Sequence, residues 1–249
     1  MNVGLIGFGK TGKAVARTLI REEGINLKWV IRRSKIKNQL TANDILDEPS
    51  NNETEIFSIN AIELNKFFKE KKVDVIIDFS SEESIKVYGE AAAESGIKIV
   101  SAVSNYSDEA IEYIKKLSEK TVTFWSPNIT LGVNYILVIS KFMKKIAPEV
   151  DIQIVEEHFK GKNEISGTAK VLANNLDVDN DEIKSIRAGG IVGKHEIIFG
   201  FPFQTVRLTH ESISREAFGN GVIFVIKNIV DKEKGFYNYE ELMKPFFEF

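Results

Sequence analysis

The chain opens with a repeating rhythm of short apolar runs and amphipathic stretches. Val3-Gly4-Leu5-Ile6 is an apolar run of strand length inside residues 1–7. After a glycine loop, Ala14, Val15, Ala16, Leu19 and Ile20 recur at helical spacing. Residues 26–31 read as a second strand. Residues 35–55 are rich in Asn, Asp and Glu and read as a loop with short local structure. The rhythm then resumes: helix 61–71 to strand 73–79, helix 82–95 to strand 97–103, helix 108–119 to strand 122–125. Strands alternating with helices predict an α/β fold, a mostly parallel, doubly wound sheet of Rossmann type.

After Asn128 the pattern changes. A long helix is expected over 130–146, ending before Pro148, then a strand over 151–157 and a helix over 166–175. Residues 183–213 read as consecutive strands, the mark of a second, α+β domain with a mixed or antiparallel sheet. Residues 214–230 are helical and apolar on more than one side, and are expected to pack back onto the first domain. The predicted division is therefore 1–128 with 214–249, and 129–213.

Composition narrows the function classes. The 249 residues are 43% hydrophobic and 28% charged, as in an ordinary globular protein large enough for one big or two modest domains. A net charge of -3 gives no electrostatic case for nucleic acid or an anionic membrane. There is no apolar run long enough to span a bilayer. Strand-like sequence follows Met1 at once, without the parts of a secretion signal, so a cytoplasmic location is expected. The absence of cysteine excludes disulfides and thiol catalysis, and three histidines in all (His158, His195, His210) argue against a His-rich metal site.

Gly7-Phe8-Gly9-Lys10-Thr11-Gly12 fits G-x-G-x-x-G between a strand and a helix, the setting that makes the motif a dinucleotide fingerprint. Its glycines permit a tight turn and close approach of a pyrophosphate to the helix N-terminus. An NAD site usually carries Asp or Glu at the end of the second strand. Here Arg32-Arg33-Ser34 stands there, suited to a 2′-phosphate, and predicts a preference for NADPH, with NADH possible. The alternative for these arginines is a solvated basic turn.

Residues 156–169 carry the densest chemistry: Glu156-Glu157-His158-Phe159-Lys160-Gly161-Lys162-Asn163-Glu164-Ile165-Ser166-Gly167-Thr168-Ala169. A histidine exchanges protons near neutral pH, and a lysine holds an anion or delivers a proton. Ser166-Gly167-Thr168 before an Ala-rich run reads as a helix N-terminus able to bind carboxylates or phosphates. Together these predict a pocket for a small anionic molecule that takes up a proton. His195 and His210 read as structural or interface groups, and Arg187 and Arg215 as structural. Phe201 and Phe203, on a predicted strand, read as core or subunit contacts. The tail Pro245-Phe246-Phe247-Glu248-Phe249 reads as a docking edge or an anchor.

These motifs resemble the dihydrodipicolinate reductase (4-hydroxy-tetrahydrodipicolinate reductase) family of lysine biosynthesis. Residues 156–169 resemble its E-x-H-H-x-x-K-x-D-x-P-S-G-T-A signature. Asp78-Phe79-Ser80 resembles D-F-T, Ser126-Pro127-Asn128-Ile129 and the residues to Asn134 resemble A-P-N-F-S-x-G-V-N, and residues 187–195 resemble R-x-G-x-I-V-G-x-H. Ser214-Arg215 with Phe218 resembles S-R-x-x-F, and Gly235-Phe236-Tyr237 resembles G-x-Y. The matches run in order along nearly the whole chain.

The resemblance implies a Rossmann domain built from both chain ends, a central substrate-binding domain, and a homotetramer assembled through the central sheet. It implies that His158 is the acid/base, that Lys162 is a second proton donor, and that Ser166, Gly167 and Thr168 hold a substrate carboxylate. The cofactor would lie on residues 7–12, Arg32, Arg33, Asp78, Phe79, Ser80, Ser101, Ala102, Val103, Ser126, Pro127, Asn128 and Ile129. The implied reaction is hydride transfer from NAD(P)H to a cyclic, unsaturated imine dicarboxylate, with protonation of the neighbouring carbon.

Four departures fall in this pattern. Phe159 replaces a second histidine that contacts substrate; losing such a donor to a carboxylate costs about 1.5–3 kcal/mol. The segment from Lys162 to Ser166 is a residue short, with Asn163-Glu164-Ile165 in place of Asp-x-Pro. Ser101-Ala102-Val103-Ser104 replaces a G-T-T-G nicotinamide loop, and the glycine loop is also a residue short. They leave open a reductase acting on a related cyclic imine or oxo acid, which Phe159 would suit, and a catalytically silent NADP(H)-binding regulatory protein, against which His158 and Lys162 both argue.

Overall fold

The computed structural model describes residues 1–34, 40–49 and 52–247, arranged as two compact units. The first comprises Met1–Ile129 together with the chain from Phe218 onward; the second is Thr130–Ala217.

In the first unit the elements alternate as β1 (Asn2–Ile6), α1 (Lys10–Arg21), β2 (Asn26–Arg32), α2 (Ala42–Leu46), β3 (Glu55–Ser58), α3 (Leu64–Glu70), β4 (Val75–Asp78), α4 (Glu82–Glu94), β5 (Lys98–Ser101), α5 (Asp108–Leu117) and β6 (Val122–Trp125). The second unit holds α6 (Leu131–Ile146), β7 (Asp151–His158), α7 (Gly167–Leu176), β8 (Lys184–Arg187), β9 (Gly193–Phe201) and β10 (Gln204–Ser212). The chain then runs through α8 (Glu216–Ile229), β11 (Gly235–Tyr237) and α9 (Tyr239–Met243).

The first sheet is parallel throughout, in the order β11-β6-β5-β4-β1-β2-β3. Its central strands are buried along their length, Val75 to Asp78 completely, because helices cover both faces. Trp29 anchors one side of the core. Its ring packs on Phe67 and Phe68 with centroids 5.4 and 5.9 Å away, and its indole N–H donates to the Lys71 carbonyl at 2.9 Å. Burying Phe68 contributes roughly 1.5–3 kcal/mol relative to leaving it exposed.

The parallel sheet and its helices agree with the doubly wound class read from the pattern. The polar stretch does contain local structure: α2 forms because Thr41 and Asp44 make a reciprocal capping box. Residues 35–39, 50 and 51 lie outside the described residues, as do Glu248 and Phe249, the end of the tail read as a docking edge or an anchor. The edge strands β3 and β11 and the short helix α9 have no counterpart in the sequence reading.

The last segment joins the first unit through side-chain contacts. Val222, Val225, Ile226 and Ile229 of α8 are buried. A Cβ at Gly221 would sit 1.7 Å from the Ile129 carbonyl oxygen, so only glycine lets the helix approach. The Tyr239 hydroxyl donates to that same carbonyl at 2.6 Å.

The second unit's sheet runs β10-β9-β7-β8, parallel between β7 and β8 and antiparallel elsewhere. It is therefore mixed. Helices α6 and α7 cover one face, where Ile136, Leu172 and Leu176 meet Ile154, Ile197 and Phe199. Phe201 packs partly against this core. Phe203 is corrected: it lies in the turn between β9 and β10 and not on a strand, with φ +68° and its side chain in solvent. A β-turn of this kind needs a positive φ at its third residue, and Pro202 before it fixes the second.

Candidate functional site

The glycine loop forms a cradle for an anion. Gly7 has φ +97°, and a Cβ there would come within 2.6 Å of the Phe79 backbone. A Cβ at Gly12 would lie 2.1 Å from the Gly7 carbonyl oxygen. Gly9 is different: a Cβ there would meet nothing within 4 Å, so open space faces the start of α1. Gly9 caps that helix without a side-chain hydrogen bond, and the first turn has no acidic residue. The unpaired N–H groups and the positive end of the helix dipole favour a phosphate there.

Phe8 is buried, with the Lys13 ammonium 5.7 Å over its ring; Lys10 is exposed and Thr11 half-buried. A cavity of about 430 Å3 runs from Gly7 and Gly9 to Arg32, Arg33 and Ser34, with Phe79 and Ser80 on its wall. Arg32 donates to the Ser34 hydroxyl at 2.6 Å. Cradle, helix end and paired cations fit a dinucleotide.

The other residues expected around the cofactor are placed in two ways. Phe79 and Ser80 reach the cavity, but the Asp78 side chain is wholly buried. Its carboxylate accepts from the Ser80 N–H and the Tyr88 hydroxyl, each at 2.8 Å, and from the Ser80 hydroxyl. Burial pushes its pKa up to about 6 against these donors. Asp78 thus shapes the turn that presents Phe79 and Ser80.

Ser101 ends β5, and Ala102 and Val103 follow it. Ser101 is buried against the Tyr106 hydroxyl at 2.8 Å, and the Val103 carbonyl accepts from the Trp125 indole at 2.9 Å. Ser126 bonds the Asn128 carbonyl at 2.6 Å, while Ile129 is buried and Pro127 is partly exposed.

In the second unit, strand periodicity puts Glu156 and His158 on the covered face of β7, and register does the rest. Glu156 lies opposite Ser185 of β8 and His195 of β9, and His158 opposite Arg187. Glu156 is 0% exposed. One carboxylate oxygen meets Nδ1 of His158; the other accepts from the Ser185 hydroxyl at 2.5 Å and from the Arg187 guanidinium. Burial alone would raise the Glu156 carboxyl, but the hydrogen bonds from Arg187, Ser185 and His158 outweigh it and hold the group below its ordinary value.

His158 is buried too. Desolvation holds its imidazole below the ordinary histidine value although Glu156 pulls the other way, and the Lys162 charge adds to the lowering. With Nδ1 on Glu156, Nε2 is the nitrogen left without a hydrogen bond among the described residues, and a Cβ at Gly193 would lie 3.0 Å from it.

Arg187 also ties down the loop after β7. Its Nε donates to the Lys162 carbonyl at 2.8 Å and its Nη2 to the Glu164 carbonyl at 3.0 Å. The loop's start is laid on the next turn through Ala188 N–H to the His158 carbonyl, 3.0 Å, and Lys160 N–H to the Gly189 carbonyl, 3.1 Å. Ser166 is the N-cap of α7, Gly167 at its first turn is exposed, and Thr168 follows, half-buried. Phe159 is 47% exposed beside Gly161.

From the sequence, Glu156 and Ser185 have no assigned role, His195 reads as a structural or interface group, and Arg187 reads as structural. The acid–histidine spacing of two residues on a predicted strand was the available signal for Glu156. Among the described residues no cluster of three or more His, Asp or Glu could hold a metal ion.

Known proteins carry the same order of parts. Residues 1–129 match the family model for the N-terminal part of dihydrodipicolinate reductase, and residues 132–243 the model for its C-terminal part. The chain belongs to the dihydrodipicolinate reductase family. This family consists of NAD(P)H-dependent oxidoreductases.

The 4-hydroxy-tetrahydrodipicolinate reductase of Methanocaldococcus jannaschii is 32% identical over 202 residues, 72% of this chain and 74% of its own. That of Wigglesworthia glossinidia brevipalpis is 30% identical over 247 residues, 94% and 89% of the two chains. A dipicolinate-bound dihydrodipicolinate reductase from Paenisporosarcina sp. TG-14 shares the fold with a TM-score of 0.78, at 23% identity over 96% of this chain and 97% of that one. An amine dehydrogenase from Mycobacterium smegmatis shares it at 0.63 and 11% identity, covering 95% and 94% of the chains, so the fold by itself does not choose the substrate.

Proposed function

We propose that this chain reduces 4-hydroxy-tetrahydrodipicolinate to tetrahydrodipicolinate in the diaminopimelate route to lysine, with NADPH preferred over NADH. The observation that carries the reading is the buried Glu156–His158 pair pinned by Arg187, beside a lysine and a capped helix start, in a chain of this family. A reduced nicotinamide, when bound, supplies the hydride. Gly7 to Gly12 and Arg32 with Arg33 would hold that cofactor; Phe79 and Ser80 line the same cavity.

His158 is the proton donor to carbon, through Nε2. Lys162 offsets the negative charge that develops on the reduced ring and acts as the second donor. Ser166, Gly167 and Thr168 hold a carboxylate at the start of α7. The substrate is thus a small anionic ring. The outer face of the second sheet, with its Lys194–Glu157 and Arg207–Glu196 pairs, is the surface through which a homotetramer would assemble. Among the described residues no helix is long and apolar enough to cross a membrane.

The direct test mixes purified protein, NADPH and enzymatically generated 4-hydroxy-tetrahydrodipicolinate, and follows the nicotinamide absorbance. Rapid oxidation, lost in Lys162→Ala, is expected. NADPH binding without oxidation would move the assignment to a related cyclic imine with a less polar edge, the reading that exposed Phe159 favours. Arg32→Asp combined with Arg33→Ala is expected to raise KM for NADPH at least tenfold more than for NADH, as roughly 1.5 kcal/mol per lost charged hydrogen bond implies. Equal losses for the two cofactors would remove the 2′-phosphate role.

A further inference from the structure

Ser166 and His195 form a buried pair that proton transfer by His158 does not use. The Ser166 hydroxyl oxygen accepts from the Ala169 N–H at 3.1 Å and lies 2.9 Å from Nε2 of His195. His195 is 4% exposed and Ser166 5%, so bulk water serves neither. The second ring nitrogen of His195, Nδ1, is buried and has no hydrogen-bond partner among the described residues.

That orphan nitrogen decides the tautomer. A neutral imidazole carries one N–H and one bare nitrogen. With its proton on Nδ1, His195 would bury a donor that nothing accepts, the rarer and more damaging defect. With its proton on Nε2, it donates to Ser166 and leaves only a bare lone pair unpaired. The ring stays neutral in either case: burial first, and the His158 ring 5.3 Å away second, push its pKa down to about 3. Ser166 then accepts twice, from Ala169 and from His195. Its own proton is all it has left to give.

We propose that His195 is a positioning residue that locks the Ser166 hydroxyl as a donor to a carboxylate of the substrate. This rests on the reading of the α7 start as the carboxylate site. A hydroxyl with both acceptor positions filled points its proton at an anion before the anion arrives. It adds a directed donor to the positive end of the helix dipole, and it cannot accept from a cationic or hydroxylic ligand. His195 also stays uncharged while His158 takes up and releases its proton, so the donor does not turn away during turnover.

The tautomer is measured directly by 15N NMR on histidine-labelled protein; with three histidines in the chain, His195→Gln identifies the signal. A protonated Nε2 and a bare Nδ1 are expected, unchanged from neutral pH to pH values where His158 is protonated. A protonated Nδ1 overturns the proposal without reference to any substrate.

Dipicolinate binding to the NADPH-loaded protein is then titrated by calorimetry. Ser166→Ala is expected to raise Kd on the order of 10- to 100-fold. His195→Leu should raise it by roughly tenfold, and His195→Gln, which keeps an N–H facing Ser166, should restore most of it. Adding Ser166→Ala to His195→Leu should cost clearly less than Ser166→Ala alone, whereas effects that simply multiply overturn the proposal. If the parent protein binds NADPH but no dipicolinate, the carboxylate site falls and the proposal with it. If it binds dipicolinate and the variants multiply, the proposal alone falls.

Discussion

Replacing Glu156 with alanine is expected to destabilise the second unit by about 3–5 kcal/mol, the usual consequence of removing one partner from a buried charged pair. The carboxylate is fully buried and answers three donors at once. Without it the Arg187 guanidinium, only 19% exposed, keeps its charge but loses the buried carboxylate it pairs with. Arg187 also holds the Lys162 and Glu164 carbonyls, so the loop after β7 loosens as well.

Glu156→Gln keeps the shape but turns an N–H2 toward groups that are themselves donors, and should lie between the parent and the alanine variant. Urea unfolding followed by a signal from the second unit checks this. A midpoint unchanged in both variants would show that the carboxylate does not hold the loop.

The pH dependence has a fixed sign. The folded Glu156 carboxyl lies below its ordinary 4.5, so its contribution is complete above that value and is lost as pH falls through the lower folded one. The stability gap between parent and alanine variant should therefore close in acid.

The legibility of this chain follows the physics of each element. The central strands of the first sheet announce themselves because both faces are buried, as Val75 to Ile77 show with three apolar residues in a row. The edge strands do not. Glu55-Ile56-Phe57-Ser58 pairs on one side only and carries two polar residues in four, and Gly235-Phe236-Tyr237 is too short for any period to appear. Phe203 reads as strand from its place in the run over 183–213, but Pro202 and a positive φ make it the corner of a hairpin.

The site divides in the same way. Residues that act from one local segment, the glycine loop or His158 with Lys162, are visible in the sequence. Arg187 and His195 are not, because their positions depend on cross-strand register: His158 opposite Arg187, and Glu156 opposite His195. No local pattern states a register that is set by packing elsewhere. Asp78 shows the converse. It stands in a recognisable motif, yet its carboxylate faces Tyr88 and the interior, and its neighbours Phe79 and Ser80 reach the cavity.

His158→Ala is expected to lower kcat by roughly 10²- to 10⁴-fold, the range of a lost general acid, while NADPH affinity stays at the parent value. Glu156 occupies Nδ1, so the imidazole works through Nε2 alone. His195 lies beside it with its Nε2 on Ser166 and its pKa down at about 3, unable to be protonated at working pH. Lys162 remains for the anion, so KM should move far less than kcat.

A group that donates a proton to carbon must first hold one. Desolvation places His158 below its ordinary 6.5, so kcat/KM for the parent enzyme should fall as pH rises through that lowered value. Glu156→Gln removes a charge that raises the imidazole, and should shift the limb further toward acid. His158→Ala should abolish the limb altogether. Turnover that survives with the same limb would assign the proton to another group, with Lys162 the first to test.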